Sequence, residues 1–379
     1  MKYRRRTLEK KLEEYIKFFS VVAITGPRQS GKSTLIKAIL KDYSYVTFDK
    51  KTNVTLFYDD PEKFMRIHQN KVIFDEVQKA PEIFDYIKLA VDEDRETTGK
   101  FVLTGSSQLS FSKEIAESLA GRIGLLTLLP YELDEMPQKL LKQSLYCGSY
   151  PELVDKNYQL FDDWYASYIE TYIEKDLRDI ANVGDLRDFQ KLIQLLAANT
   201  SQILNYSRFS NNLGVDVKTV KRWISILEAS YIIFLLPPYY NNLGKRVVKS
   251  PKVYFYDIGL VAHLCGISDQ KVYERGPMYG AMFENYVVAE CLKKIVHRRM
   301  HSKLYYYRTS HGVEVDLIID HRSTKEFIEI KTSETFHPKM VKSIEALMEP
   351  GDTGHLLYRG KEVPYLDAVK VLNYQKYLM

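Results

Sequence analysis

The octet Gly26-Pro27-Arg28-Gln29-Ser30-Gly31-Lys32-Ser33 places two glycines, a lysine and a hydroxyl at the spacing that wraps a polyphosphate. Gly26 and Gly31 let the backbone curl so that successive N–H groups point inward, with Pro27, Arg28, Gln29 and Ser30 forming the arc between them. Lys32 reaches the β- and γ-phosphates. Ser33 offers its hydroxyl to a bridging Mg²⁺, and Thr34 follows in a helix whose positive N-terminus faces the charge. The expected ligand is a nucleoside triphosphate.

A second group of chemically competent residues is the acid pair Asp75-Glu76 at the end of the apolar run Val72-Ile73-Phe74. Asp75 is expected to hold Mg²⁺ through its water shell, and Glu76 to orient the attacking water or accept its proton. A third apolar run, Phe101 to Thr104, enters Gly105-Ser106-Ser107, where Thr104, Ser106 or Ser107 is expected to sense the γ-phosphate. The chain has no Asn-Lys-x-Asp stretch after these runs to read a guanine, which favours ATP over GTP.

The last third of the chain holds a separate set. Glu314 and Asp316 alternate with Val313, Val315 and Leu317 and so share a strand face; Glu329 and Lys331 share a face of the next strand. Asp316 and Glu329 suit a Mg²⁺, joined by the Ile330 carbonyl and by Glu284 from a preceding helix. Lys331 is placed to position water or to stabilise charge developing on a phosphate. The same residues also suit a solvated face held by cross-strand ion pairs.

These residues require elements that hold them. The run Val21-Val22-Ala23-Ile24 reads as a buried strand before the octet, and Leu35 to Leu40 as the helix after it. The Phe101–Thr104 strand is expected between the other two in a parallel sheet. The stretch from Tyr131 to Leu196 reads as helical, its aromatic stripe around Tyr165, Tyr168 and Tyr172 being core. From Tyr206 the pattern is helix, glycine turn, helix: Asp216 caps the second helix, Val220, Ile224 and Leu227 face inward, and Lys218, Lys221 and Arg222 face outward. A strand over 231–236, a basic turn with Lys245 and Arg246 and a returning strand near Val247 would complete a winged helix able to contact DNA through those five basic residues. Packing between domains is the equally open alternative.

At 379 residues and 45% apolar content, the chain is long enough for two or three domains with full cores. The net charge of +5 permits nucleic-acid binding without demanding it. Cys147, Cys265 and Cys291 lie far apart, which suggests neither zinc nor disulfides. No apolar run is long enough for a membrane span, so a cytoplasmic protein without membrane partners is expected.

Across nearly its whole length the chain resembles the prokaryotic AAA-type ATPases of the AAA+ superfamily that carry a winged helix and a C-terminal domain of unknown function related to PD-(D/E)xK nucleases. Gly26 to Ser33, Asp75-Glu76, the segment Lys218 to Trp223, and Asp316 with Glu329-Ile330-Lys331 carry the likeness; Val315 stands where the nuclease motif names a proline. The resemblance implies an α/β protein in four parts: an ATPase core over 1–135, a helical lid or spacer over 136–196, a winged helix over 197–250 and a nuclease-like domain over 251–379. It implies ATP and Mg²⁺ as cofactors and a nuclease-like site at Glu284, Asp316, Glu329 and Lys331. It also implies a finger role for Arg122, which lies between a helix and the next strand and would reach the γ-phosphate of a neighbour in a homo-oligomer. Many relatives of the nuclease core have lost activity, so a regulatory, signal-transducing ATPase whose C-terminal domain binds without cutting is the alternative function.

Overall fold

The computed structural model describes residues 3–105, 119–174, 186–239, 249–309, 312–364 and 368–379. The chain divides into two compact units. The first comprises Met1–Tyr131 with the short pieces Ala229–Tyr231 and Val296–Arg299; the second comprises Glu132–Glu228, Ile232–Ile295 and Met300–Met379.

In the first unit five strands, β1 (Val21–Thr25), β2 (Ser44–Thr47), β3 (Val72–Asp75), β4 (Phe101–Thr104) and β5 (Ile123–Thr127), form a wholly parallel sheet. Their order is β2-β3-β4-β1-β5, so β4 lies between β1 and β3 as the sequence suggests. Parallel neighbours need crossovers, supplied by helices Lys32–Ile39, Lys51–Asp59, Pro61–Ile67 and Ile83–Glu93. Alternate residues of the strands feed two cores. Val21, Ala23, Phe74, Phe101 and Leu103 pack with Phe48, Phe57, Phe64 and Ile87. Val22, Ile24, Ile73 and Val102 pack with Leu8, Leu12, Leu35 and Ile36. Burial on both faces explains why these strands read as continuous apolar runs rather than alternating ones.

The second unit opens with helices Leu141–Cys147, Pro151–Asp155 and Phe161–Tyr168, the last continuing as a π-helix over Ile169–Glu174. Tyr150, Trp164, Tyr165 and Tyr168 stack together, and the three tyrosines are buried, so this aromatic stripe is core. Gly148 has φ 78°, and a Cβ there would lie 2.2 Å from Asp257 Oδ1. That carboxylate accepts from the N–H of Ser149 at 2.7 Å and from the N–H of Gly259 at 3.0 Å, capping helix Ile258–Leu264.

Helix Leu186–Ala198 precedes the pair Tyr206–Leu213 and Val217–Ala229, which are joined through Gly214 in the left-handed region. Asp216 accepts from the Thr219 N–H at 2.9 Å, the expected cap. Val220, Trp223, Ile224 and Leu227 are buried, whereas Lys218, Lys221 and Arg222 are exposed. The following strand, β6 (Ile233–Leu236), pairs antiparallel with β7 (Lys252–Phe255). The basic turn with Lys245 and Arg246 and the return near Val247 lie outside the described residues. The strand that does pair with β6 starts at Lys252.

Helix Tyr279–His297 leads into a second sheet of β8 (Lys303–Arg308), β9 (Glu314–Asp320), β10 (Lys325–Lys331), β11 (Thr353–Tyr358) and β12 (Val369–Asn373), ordered β12-β11-β10-β9-β8. β8, β9 and β10 form an antiparallel meander; β10, β11 and β12 are parallel, with helix Lys342–Glu345 in the crossover from β10 to β11. Val315, Ile318, Phe327, Leu356 and Val371 form its core with Val341 and Ile344. Among the described residues no helix is long and apolar enough to cross a membrane.

Candidate functional sites

β1 ends at Thr25 and the glycine loop begins at once. Gly26 has φ 141°, and a Cβ there would stand 2.1 Å from the Leu128 carbonyl oxygen, so no larger residue fits. Gly31, at φ 95°, precedes the first helical residue, Lys32. The Lys32 ammonium is buried and donates to the carbonyls of Gly26 at 2.9 Å and Pro27 at 2.8 Å, holding the loop in a ring. Burial lowers its pKa to about 8, against the pull of Glu76 and Asp75. Pro27 and Ser30 are buried, Arg28 is half-buried, and Gln29 and Thr34 are exposed. The Ser30 hydroxyl is buried without a hydrogen-bond partner, a polar group this loop leaves for a ligand.

Asp75, at the end of β3, is 5% exposed. Its two oxygens lie 3.3 Å from the Ser33 hydroxyl, and they also accept from Thr104 on β4 and from Tyr45 on β2. Asp75 and Ser33 therefore meet as the sequence suggests, and Thr104 faces the carboxylate. Ser106 and Ser107 lie outside the described residues. Glu76 sits at φ 57°, a left-handed conformation that costs a non-glycine residue about 1–2 kcal/mol. Burial raises its pKa, and Gln78 donates to its carboxylate. A carboxylate turned out of its strand and inclined to take up a proton is suited to a water-activating role.

Arg122 stands before β5, and the register Val21↔Ile123 puts it at the opposite end of the sheet from the glycine loop, about 13 Å of strand away. Its guanidinium forks onto Asp92, Nε at 2.9 Å and Nη2 at 3.1 Å.

The C-terminal set converges as well. The antiparallel ladder of β9 and β10 runs from Lys325↔Asp320 to Ile328↔Leu317; beyond it the Asp316 carboxylate takes the Ile330 N–H at 2.9 Å. Because the N–H and C=O of a strand residue point to the same side, the Ile330 carbonyl also faces β9. Lys331 Nζ lies 2.6 Å from Glu329 Oε1 and 3.6 Å from Asp316 Oδ2. Glu329 is 8% exposed and its Oε2 has no partner. Burial, then the charge of Asp316, pushes the Glu329 carboxyl up to about 8. Glu284, on helix Tyr279–His297, accepts from Lys252 Nζ at 2.9 Å and the Tyr254 hydroxyl at 2.6 Å; burial raises its pKa to about 7. Lys252 Nζ also lies 2.8 Å from Glu314 Oε1. Burial opposes its charge, but Glu284, Asp316 and Glu314 outweigh that and hold its pKa above the ordinary lysine value.

Residues 19–137 match the family described as the AAA domain. The N-terminal region is an AAA-type P-loop ATPase domain. Beyond this ATPase domain, residues 138–271 and 279–377 match two families described only as domains of unknown function, DUF8612 and DUF4143. An uncharacterized protein of Mycobacterium tuberculosis is 28% identical over 346 residues, covering 91% of this chain and 77% of its own length. One of Haemophilus influenzae is 24% identical over 328 residues, covering 76% and 78%. Among solved structures, the Walker-type ATPase of Pyrococcus abyssi aligns over 68% of this chain and 94% of its own, at 14% identity and a TM-score of 0.47.

Four residues of these sites escape a reading of motifs. In the ATPase domain, Arg6 donates to the Ser30 carbonyl at 2.8 Å and the Leu129 carbonyl at 2.7 Å, bracing the loop from a segment that reads as a charged lead-in. Tyr45 reaches Asp75 from β2. In the second unit Lys252 and Tyr254 both reach Glu284 from β7. A signal for the last two exists: they are two apart in a four-residue strand and so share one face, and a lysine inside a buried strand demands a counter-charge.

Proposed function

We propose that the chain is an ATP-hydrolysing, Mg²⁺-dependent cytoplasmic protein that acts on DNA, with a winged helix as adaptor and a nuclease-like effector site in its C-terminal unit. For hydrolysis, the supporting geometry is Ser33 and Asp75 around one oxygen-lined position, with Glu76 beside it. They would hold Mg²⁺ there, and its charge would stabilise the phosphates as the γ-phosphoryl leaves. Glu76 orients the attacking water, and the Lys32 ammonium exchanges loop carbonyls for phosphate oxygens.

For DNA, the observation that carries the reading is the meeting of Asp316, Glu329 and Lys331 where β9 and β10 part, with one Glu329 oxygen buried and unpaired. An oxygen donor set of this kind suits Mg²⁺ or Mn²⁺, which would polarise a phosphodiester; Lys331 lies beside it to stabilise charge. The element order helix, three-strand meander, helix, parallel strand supports the nuclease-like assignment. Exposed Lys218, Lys221 and Arg222 on helix Val217–Ala229 are the DNA-facing side chains of the adaptor. Arg122 would serve a neighbouring subunit, releasing Asp92 to do so. Mixing Arg122→Ala chains with Lys32→Ala chains should then restore some hydrolysis, and silence at every ratio removes the role.

The deciding experiment is incubation with labelled single-stranded and duplex DNA, with Mg²⁺ or Mn²⁺, with and without ATP, beside Glu329→Ala. Cleavage that disappears in the variant supports the effector reading. One observation favours a second reading, a regulatory, signal-transducing ATPase switch whose C-terminal unit binds without cleaving: an ammonium, Lys252, already lies among the acids. Absence of cleavage with ATP hydrolysis intact would select it.

A further inference from the structure

The acids of the C-terminal unit are divided between two kinds of partner. Glu284 and Glu314 face Lys252 Nζ at 2.9 and 2.8 Å, and Glu314 has a second cation in Arg308 Nη1 at 3.3 Å. Tyr254 adds its hydroxyl to Glu284 at 2.6 Å. Asp316 and Glu329 face Lys331, whose side chain is 36% exposed, against 3% for Lys252. The two ammonium groups therefore differ in freedom. Lys331 is partly exposed and can swing toward water, whereas Lys252 is enclosed.

The backbone of Lys252 is held on both sides. β7 pairs with β6 through Leu236↔Lys252 and bridges to Ile203 on the other flank, with the Ser201 N–H donating to Val253 O and the Leu204 N–H to Pro251 O, each at 2.8 Å. The Tyr306 ring lies 5.4 Å from the ammonium. A fixed positive charge thus fills the Glu284–Glu314 half. In the other half Glu329 Oε2 is buried without a hydrogen-bond partner. A buried carboxylate oxygen without a partner is costly, so this half is the one built to receive a cation.

We infer that Lys252 is a built-in cation that takes the place of one metal ion, so that the C-terminal unit binds a single divalent cation at Asp316 and Glu329, with Glu284 and Glu314 serving the lysine rather than the metal. The inference rests on the proposed cation role of Asp316 and Glu329. It adds that the residues of this chain limit the site to one ion, and that the limiting charge comes from the segment matching DUF8612 while the acids come from the segment matching DUF4143. A second divalent cation beside the ammonium would face repulsion of several kcal/mol at an effective dielectric constant of about 20.

The test counts bound ions rather than products. Full-length protein without nucleotide is titrated with Mn²⁺ and free Mn²⁺ is read by electron paramagnetic resonance, with Glu329→Ala as the background. The expected result is one Glu329-dependent ion in wild type, one in Lys252→Arg and two in Lys252→Met, or one bound at least about tenfold more tightly there. Glu284→Gln and Glu314→Gln should keep the single ion within about threefold of the wild-type affinity, since neither is a ligand. Circular dichroism checks each chain; if Lys252→Met does not fold, the two glutamine variants still decide. Two Glu329-dependent ions in wild type, loss of the ion in either glutamine variant, or an unchanged number and affinity in folded Lys252→Met overturns the inference and leaves the cation role of Asp316 and Glu329 standing. No Glu329-dependent ion in wild type overturns both.

Discussion

The ATPase domain and the C-terminal unit each gather buried carboxylates and a lysine at the end of a sheet, yet they neutralise them by opposite means. Asp75 is held by three hydroxyls, those of Ser33, Thr104 and Tyr45, and Lys32 by two carbonyls of its own loop. In the C-terminal unit, Glu284, Glu314, Asp316 and Glu329 are held chiefly by Lys252, Lys331 and Arg308. Neutral partners release a charge cheaply and can join the hydration shell of an incoming ion. Charged partners compete with that ion. The first arrangement suits a ligand that comes and goes with each turnover; the second suits a cation held in a fixed setting.

The contrast can be broken by substitution, beginning where the effect is greatest. Glu76→Gln should lower ATP hydrolysis by roughly 10²–10⁴-fold while leaving nucleotide affinity near wild type, because it removes the group proposed to orient the attacking water and no proposed phosphate contact. Parallel turnover and equilibrium binding assays check this, and a large loss of affinity would reassign the residue. Lys32→Ala should weaken nucleotide binding by about 10–100-fold, the worth of one charge-assisted hydrogen bond. Fluorescent-nucleotide titration reads it.

Unfolding curves at neutral pH sharpen the comparison itself. Asp75→Asn should cost less than about 1 kcal/mol, since the amide oxygen still accepts from one hydroxyl and the new NH2 can donate to another that rotates to accept, whereas Asp316→Asn should cost about 1–3 kcal/mol by stripping Lys331 and the Ile330 N–H of a charged acceptor. Equal losses would erase the distinction between the two sites. Protonation offers a further handle. With its pKa lowered to about 8, Lys32 of the free protein sheds its proton above that pH, and bound phosphates favour the charged form. Nucleotide affinity should therefore fall about tenfold from pH 7 to pH 9, with proton uptake on binding visible by calorimetry in buffers of different ionisation enthalpy. The sign is that of a lysine whose pKa in the free fold is depressed and recovers in the complex. The smallest effect is expected for Tyr45→Phe, about two- to fivefold in hydrolysis, as one of the three hydroxyls on Asp75 is lost.

Much of the ATPase domain can be read from the chain because its chemistry is local. The loop Gly26 to Ser33 is contiguous, and Asp75 announces itself at the end of an apolar run. Even the central place of β4 follows from those signals. What cannot be read is what crosses distance. Tyr45 lies 30 residues from Asp75, and Arg6 lies 24 from Ser30; no spacing rule links either pair before the sheet has formed. In the C-terminal unit, alternation and the Glu-x-Lys pattern place Asp316, Glu329 and Lys331 together. The same pattern gives no hint that a lysine at the start of β7, 32 residues before Glu284, would enter the acid cluster. The expected return strand near Val247 lies outside the described residues; among those described, the partner of β6 is Lys252–Phe255, a run whose strand character shows in its pairing rather than in an alternating pattern.

The place where β9 and β10 part has a practical use. There a side chain, the carboxylate of Asp316, stands in for the next rung and shields the Ile330 amide. That amide should exchange slowly with deuterated solvent while Asp316 faces it and faster once the carboxylate turns toward another charge. A single peptide spanning residues 326–333 would then report, by its mass alone, whether the site is engaged, with no substrate, label or product required.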